Sequence, residues 1–401
     1  MRSRPSAFLL RARLVRGAHG WYDRGAVVVE RGRVAWLGPA DRVASTGLQV
    51  KDLGDCALVR GFVNAHAHLD LTGVQTSERE FAPWVRAMVA ARRSRGPMEV
   101  AQAWRAGERS LLAGGCTTSA DIDGGDQAGV AWTAQPTQLR VLSFVELLDG
   151  RDPRRLAGQL ARLRASCAVR QHGRWRRALS PHAPHTVSAP LLRAAARAGT
   201  RLQVHCAETE AEVQWLLEGT GPLRDLLPAS PRQGPLEVLH RAGVLQRGTT
   251  LVHANALDPA RDGARLARLG VSVVHCPGTH AWFGRAPFPL AAWRAQGVRV
   301  VLGTDSAASN ERLDCRHEAA LALDRLRVAP SEVLDMLGDA AEEALGRPFG
   351  WTGLRVGARA DCAAHATSLQ GEAALEEVLR GARPVLGSWI AGRETLPFEP
   401  D

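Results

Sequence analysis

Two histidines stand two residues apart in VNAHAHLD, and they begin the series of side chains whose types and spacing suit chemistry. The apolar residues around them are typical of a buried strand. Side chains two residues apart on a strand point to the same side, so the imidazoles of His66 and His68 can reach one metal ion. Alone, this pair is weak evidence, because a solvated or structural pair fits the pattern as well.

Three further candidates end later apolar runs. His205 ends RLQVH, His253 ends TTLVH, and Asp305 follows RVVLGT. An aspartate in that position, taken alone, more often caps the next helix. Packing alone gives no reason for four strands to bring four histidines and a carboxylate to the same rim. Buried polar groups of this kind are costly without an interaction partner, and a shared cation is such a partner. The set therefore predicts a metal site.

An acid lies close to this predicted site. Glu208 follows His205 by three residues, near enough to reach an attacking water without binding the metal itself. Hydrolysis at an sp² carbon needs a base that takes the proton of that water and returns protons to the ring nitrogen and the leaving group. The alternative is an acid at a helix N-terminus, favoured by the helix dipole. Beside a candidate ligand, we favour catalysis.

Apolar runs and helix-period segments alternate from residue 57 onward. The eight runs are ALVRGFVNAHAHL, CTTSADI, LRVLSFVELL, RRALSPHAP, RLQVHCAE, TTLVHANA, SVVHCP and RVVLGTDS. Eight β-α repeats over about 290 residues predict an α/β fold of the (β/α)8 TIM-barrel type, in which catalytic groups collect at the carboxyl ends of the strands. The candidates above all lie at those ends.

Both ends of the chain are rich in β-like runs. We expect a small composite β-sandwich, with residues 1–58 as its N-terminal part, residues 59–350 as the barrel, and residues 351–401 as its C-terminal part. The segment TGPLRDLLPASPRQGPLEVLHRAG is longer than a usual connection, and it predicts a lid or rim over the barrel.

Composition narrows the class of protein. The chain has 401 residues, 45% of them apolar, which is enough for one large domain of the α/β-barrel size or for two ordinary domains. The net charge of +10 comes from scattered arginines, which indicate a solvated surface rather than a nucleic-acid face. Seven cysteines without a C-x-x-C pair argue against disulfides or a structural zinc knot. No apolar run is long enough to span a membrane, so we expect a cytoplasmic enzyme.

The sequence contains one lysine, Lys51, which precedes the first predicted barrel strand. Barrel hydrolases with two bridged metals commonly use a carbamoylated lysine at the end of a middle strand, and that position cannot be filled here. The fourth run instead offers His182 and His185 in SPHAPHTVS. We therefore predict a mononuclear site, a kind that tends to perform deamination in this architecture.

The motifs GFVNAHAHL, SPHAPHTVS, HCAET, LVHAN, HCPGTH and LGTDSAASN together resemble the amidohydrolase superfamily. The similar group holds cytosine, guanine, and S-adenosylhomocysteine or methylthioadenosine deaminases, chlorohydrolases and aminodeoxyfutalosine deaminases. The resemblance implies one divalent metal, zinc or alternatively iron. It implies the metal ligands His66, His68, His205 and Asp305. It also implies Glu208 as proton shuttle, His253 as the residue that orients the attacking water, and His182 as a purine contact.

Two loops depart from that group. In EREFAPWV, Ala82 and Pro83 replace the acids that adenosine-type relatives use on ribose hydroxyls, although Glu78 or Glu80 could substitute and Trp84 remains for stacking. After CPGTH, the loop AWFGRAPF offers an aromatic and cationic wall, like that of the aminodeoxyfutalosine deaminases. A rim loop packed on its own aromatics is the alternative. The predicted substrate contacts are Trp84, His182, Phe283, Arg285 and Ser309.

These features predict a hydrolytic deaminase of an amino-purine nucleoside, most similar to enzymes acting on 6-aminodeoxyfutalosine, an intermediate of menaquinone biosynthesis. Alternatives are deamination of S-adenosylhomocysteine, methylthioadenosine or guanine, or dechlorination of a triazine. A non-catalytic scaffold or a nucleic-acid binder is disfavoured, because the whole constellation is kept. The expected partner is the small-molecule substrate, without nucleic acid or membrane, and the sequence leaves a homodimer open.

Overall fold

The computed structural model describes residues 7–124, 137–169, 171, 173–227 and 229–396. In chain order, its strands are β1 (Ala7–Gly17), β2 (Gly20–Glu30), β3 (Arg33–Pro39), β4 (Gln49–Asp52), β5 (Cys56–Arg60), β6 (Phe62–His68), β7 (Cys116–Asp123), β8 (Arg140–Leu147), β9 (Trp175–Pro181), β10 (Leu202–Cys206), β11 (Thr249–His253), β12 (Ser272–His275), β13 (Val300–Leu302), β14 (Asp305–Ser306), β15 (Cys362–Ala366), β16 (Val385–Ile390) and β17 (Arg393–Leu396).

Helices follow most barrel strands. They are α1 (Phe81–Ser94), α2 (Pro97–Ala113), α3 (Pro153–Ala168), α4 (Ala189–Ala196), α5 (Glu210–Glu218), α6 (Pro235–Arg241), α7 (Pro259–Leu269), α8 (Pro277–Trp282), α9 (Leu290–Ala295), α10 (Cys315–Leu326), α11 (Pro330–Met336), α12 (Asp339–Ala344) and α13 (Gly371–Arg380), with 3₁₀ turns at Ala40–Arg42 and Leu69–Leu71. None of the described helices is long and apolar enough to cross a membrane.

The strands from β6 to β14 form one parallel sheet that closes on itself. Its order is β13-β12-β11-β10-β9-β8-β7-β6-β14. The strands β13 and β14 share the eighth position, since β13 pairs with β12 and β14 pairs with β6. Nearly every strand residue is buried, as expected for a parallel sheet covered by helices. The predicted TIM barrel is confirmed.

Closure of the barrel occurs at a seam that consists of residues 64–68 and 303–306. The Asn64 side chain accepts a hydrogen bond from the Thr304 amide at 3.0 Å and donates one to the Thr304 hydroxyl at 2.8 Å. A Cβ on Gly303 would lie 2.8 Å from the His66 Cβ. The last strand therefore needs a glycine where it passes the strand that carries the first two histidines.

The two ends of the chain meet in a second sheet. Its order is β17-β16-β15-β5-β1-β2-β3, and β4 pairs with β1. The predicted composite sheet domain is confirmed, whereas the boundaries at residues 58 and 350 stay predictions. Strand β5 passes into β6 through Gly61, where a Cβ would lie 2.2 Å from the Thr117 side chain.

A buried ion pair also joins the two sheets. Arg140 on β8 donates to both carboxylate oxygens of Asp361, at 2.6 and 3.1 Å, and these side chains are only 4% and 0% exposed. Asp361 accepts a further hydrogen bond from the Ala391 amide of the C-terminal part. The barrel and the terminal sheet are thus connected by this buried ion pair as well as by the covalent chain.

Candidate metal and catalytic site

The four predicted metal ligands lie together at the carboxyl ends of the barrel strands. The Nε2 atoms of His68 and His205 are 3.3 Å apart, and each of the His66 and His68 Nε2 atoms lies 3.5 Å from Asp305 Oδ1. All four side chains are buried. Burial lowers the pKa of His68 well below its usual value and that of His205 to about 3, so these imidazoles are neutral and offer lone pairs.

Hydrogen bonds on the outer side fix which nitrogen faces the cluster. Gln203 Nε2 donates to the Ala65 carbonyl and to the Thr250 hydroxyl, both at 3.0 Å, so its oxygen is the atom that lies 2.7 Å from His66 Nδ1. His66 Nδ1 therefore carries the proton. His205 Nδ1 likewise donates to the His182 carbonyl at 3.0 Å. Both rings present an unprotonated Nε2 to the cluster.

The residues fit a divalent cation. His66 Nε2 is buried without a hydrogen-bond partner, and it faces a carboxylate. Imidazole nitrogens with one carboxylate oxygen suit zinc, and they also suit iron. His66, His253 and Asp305 form a second cluster of compatible donor atoms, so His253 also lies within reach of the same cation.

The predicted catalytic residues adjoin this cluster. His253 Nε2 lies 3.5 Å from Glu208 Oε2 and 3.9 Å from Asp305 Oδ2. His253 and Asp305 have φ angles of 73° and 57°, which are uncommon for residues other than glycine. Such left-handed conformations concentrate at functional sites, and here they occur at the last residue of β11 and the first residue of β14.

Glu208 is held from several sides. Its Oε1 accepts a hydrogen bond from the Arg285 guanidinium at 2.8 Å, and its main-chain carbonyl accepts one from Asn255 Nδ2 at 3.2 Å and another from Arg285. Burial raises the pKa of the Glu208 carboxyl, although the Arg285 charge opposes this shift.

A cavity of about 600 Å³ extends from the cluster toward solvent. Trp84 and His182, two predicted substrate contacts, line it, and His182 Nδ1 lies 2.7 Å from the Thr186 hydroxyl. The apolar wall consists of Leu71, Phe81, Trp84, Val85, Met88, Val89, Leu148, Leu223, Leu226 and Leu227. The last three belong to the long segment after α5, which thus forms part of the predicted rim.

Three of the predicted substrate contacts, Phe283, Arg285 and Ser309, lie beside this cavity. None of them lines the cavity. Phe283 packs behind the wall, with its ring 5.6 Å from that of Trp84, and Arg285 is engaged by Glu208. Ser309 lies behind Asp305, with 3.5 Å between its hydroxyl and the carboxylate. Arg285 and Ser309 thus contact carboxylates of the site, Glu208 and Asp305, without lining the cavity themselves.

The structure also brings in polar residues that sequence reasoning missed. Glu146, at the end of β8, lines the cavity, and its Oε2 accepts a hydrogen bond from Arg92 at 3.0 Å. Neither Glu78 nor Glu80 lines it. Gln203 was missed although it stands two residues before His205 on the same strand face. The position at a strand end would have signalled Glu146, and the period of two would have signalled Gln203.

Three arginines stand at the mouth of the cavity. Arg86 and Arg93 on α1 and Arg155 on α3 line it and are exposed. Within the part of the chain that the structure describes, none of the three forms an ion pair or a side-chain hydrogen bond. Among the described residues, the mouth therefore carries three guanidinium groups that are not bound to a carboxylate.

A TIM barrel with buried histidines and a carboxylate at the carboxyl ends of its strands is the arrangement expected of a metal-dependent hydrolase. The amidohydrolase family model matches residues 57–394, and the chain belongs to that family. Aminodeoxyfutalosine deaminase of Deinococcus radiodurans is 31% identical over 340 residues, which cover 77% of this chain and 78% of the relative. The 5-methylthioadenosine/S-adenosylhomocysteine deaminase of Syntrophobacter fumaroxidans is 28% identical over 369 residues, covering 85% and 79%.

Solved structures show the same fold. A zinc-bound adenosine deaminase from Xanthomonas campestris matches 98% of this chain and 93% of its own, with a TM-score of 0.82 and 23% identity. Helicobacter pylori aminofutalosine deaminase in complex with methylthio-coformycin matches 97% and 100%, with a TM-score of 0.83 and 17% identity. With its relatives, the site makes this chain a hydrolytic deaminase of the amidohydrolase family.

Proposed function

We propose that this enzyme removes the exocyclic amine of an amino-purine nucleoside and that its substrate is 6-aminodeoxyfutalosine. The observation that carries the proposal is the buried Glu208 carboxylate beside His253 at the inner end of a long, largely apolar cavity. The similarity to the Deinococcus radiodurans enzyme supports the choice of substrate.

We assign one divalent metal to His66, His68, His205 and Asp305, with zinc first and iron as the alternative. When bound, such a metal supplies Lewis acidity and makes water more acidic. The only lysine, Lys51, lies in β4 and pairs with Glu394 on the terminal sheet, so it cannot bridge two metals in the barrel. This arrangement supports a single metal.

Glu208 carries the proton transfer in this proposal. Its Oε2 faces His253 at the inner end of the cavity, where the attacking water and the amidine carbon of the base would meet. Glu208 takes a proton from the attacking water and delivers it to the ring nitrogen. It then takes the proton of the new hydroxyl group, as that group becomes a carbonyl, and passes it to the exocyclic amine, which leaves as ammonia. His253 orients the water, and His182 contacts the purine.

The rest of the cavity suits a substrate with a large remote group. Trp84 donates its indole N–H to the Ala308 carbonyl at 2.9 Å, which fixes the ring in the cavity wall. The apolar wall can cover an aromatic ring, and the arginines at the mouth, Arg86, Arg93 and Arg155, can meet a carboxylate. An aromatic carboxylate on the nucleoside would use both features.

The test is a comparison of kcat/KM by ammonia release. We expect 6-aminodeoxyfutalosine to exceed adenosine and S-adenosylhomocysteine by at least about tenfold, or roughly 1.4 kcal/mol. The double variant Arg86→Met/Arg93→Met should remove most of that preference and leave adenosine turnover nearly unchanged. Equal kcat/KM for the three substrates in the unmodified enzyme would contradict the proposed substrate.

The second candidate is deamination of methylthioadenosine or S-adenosylhomocysteine. Several relatives at 25–28% identity carry that name. S-adenosylhomocysteine also offers a carboxylate, but on a flexible zwitterionic chain without a ring to cover. A higher kcat/KM for either of these compounds than for 6-aminodeoxyfutalosine would replace the first candidate with this one.

A further inference from the structure

Arg285 contacts Glu208 at two points. One terminal nitrogen of the guanidinium lies 2.8 Å from Glu208 Oε1, and the other donates to the main-chain carbonyl of the same residue. The two side chains are 12% and 10% exposed. A planar guanidinium can bind two acceptors at once in a fixed geometry, whereas an ammonium acts as a point charge.

The loop that carries Arg285 is itself fixed. The Arg285 amide donates to the His280 carbonyl at 3.2 Å, and the Phe283 ring lies 4.8 Å from the guanidinium carbon. His280 Nδ1 lies 3.3 Å from Asn255 Oδ1, while Asn255 Nδ2 donates to the Glu208 carbonyl. The guanidinium therefore reaches Glu208 from a position that several independent contacts define.

We propose that Arg285 is a positioning residue for Glu208. By holding Oε1 and the carbonyl, it leaves Oε2 directed toward His253, from which it is 3.5 Å away. A glutamate side chain has three rotatable bonds, and in the cavity wall it would otherwise sample several orientations. The inference rests on the proposed role of Glu208, and it assigns Arg285 to every substrate of the enzyme rather than to one remote group.

The test compares Arg285→Ala, Arg285→Lys and the unmodified enzyme on each amine that the unmodified enzyme deaminates. We expect kcat of Arg285→Ala to fall about 30- to 100-fold on every substrate, in line with the cost of misplacing a catalytic group, while KM changes less than about threefold. Arg285→Lys should recover part of kcat, and added ethylguanidinium should partly rescue Arg285→Ala.

Arg316→Ala is the matched control. The Arg316 side chain is 13% exposed and forms an ion pair with Asp314 at 2.8 Å, and it does not line the cavity. Its kcat should stay near that of the unmodified enzyme. A crystal structure of Arg285→Ala, with metal content measured, should show Glu208 turned from His253.

Three results would overturn the positioning role of Arg285: a KM increase confined to the substrates that bear a carboxylate, an unchanged kcat, or an unchanged position of Glu208. If Arg285→Ala does not fold, kcat and KM of Arg285→Lys are compared with those of the unmodified enzyme instead. Failure of the unmodified enzyme on every amino-purine would instead refute the proposed function, and the position of Glu208 in the variant crystal would still test the contact.

Discussion

At the scale of single residues, the side chains whose place in the site could be predicted are those at the ends of apolar runs in the sequence. His66 and His68 share a strand face, and His205 and Asp305 end separate strands, so barrel geometry alone brings them together. Arg285 could not be placed in this way, because the direction of a loop side chain depends on α8 and on the aromatic ring of Phe283. Its contact with Glu208 is a product of tertiary packing.

Glu208→Gln separates proton transfer from metal binding. Glutamine keeps the size of the side chain but cannot accept a proton, so we expect the variant to keep its metal and to lose about 10² to 10⁴ in rate. His205→Ala should lose the metal itself. The measurements are kcat and metal content by elemental analysis, and equal metal loss in both variants would place Glu208 among the ligands.

Gln203→Leu tests the contact behind the metal site. Leucine has a similar size but cannot accept the hydrogen bond from His66 Nδ1, which now has its partner 2.7 Å away. We expect metal affinity to fall about 10- to 100-fold, as is usual when such a partner is lost. Competition with a chelator measures the metal affinity. An unchanged affinity would show that the packing of the barrel wall alone orients His66.

Metal content tests the ligand set as a whole. With no lysine in the barrel, we expect one tightly held divalent metal per chain in fully loaded protein. Two metals per chain, both needed for turnover, would contradict this expectation.

At the scale of elements, the eight apolar runs predict the barrel strands because a strand buried on both faces leaves a dense apolar signal. The eighth run, RVVLGTDS, was expected as one strand, and the structure divides it into β13 and β14 around Gly303 and Thr304. The apolar pattern does not predict this division, because the division arises where the chain changes its pairing strand from β12 to β6. The pairing of β5 with β15 was equally beyond local pattern, because about 300 residues separate the two strands and only the folded barrel brings them together.

Gly61 tests the passage from the terminal sheet into the barrel. Gly61→Ala places a Cβ against Thr117 and should destabilise the protein by about 1–3 kcal/mol, the usual range for forced packing. Gly158→Ala is the control, because its helix position has no atom within 4 Å of a new Cβ. It should be neutral or stabilising by about 0.5–1 kcal/mol. Chemical denaturation of both variants measures the difference.

At the scale of the whole molecule, composition and the β-rich ends predicted a single large enzyme with a composite terminal sheet. They did not predict how the two parts are joined. The buried pair of Arg140 and Asp361 joins them, and neither residue stands out in the sequence, because a lone arginine and a lone aspartate usually lie on the surface.

Arg140→Met measures how strongly this pair couples the two parts. The substitution leaves the Asp361 carboxylate buried without its partner, so we expect a loss of about 3–5 kcal/mol in the free energy of unfolding. Asp361→Asn combined with Arg140→Met should recover part of the loss. If the single variant is as stable as the unmodified protein, or if barrel and terminal sheet unfold in separate transitions, the pair does not couple them.

The seam that closes the barrel gives the predicted metal site a second role, in stability. His66 and His68 belong to its first strand and Asp305 to its last, and the facing residues Asn64 and Thr304 are 240 positions apart in the chain. A cation bound by ligands on both strands would act as a removable cross-link between two segments that are far apart in the chain. Stripping the metal should therefore speed amide hydrogen exchange first along β6 and β14, while a strand on the far side of the barrel that carries no predicted ligand, β9, keeps its protection.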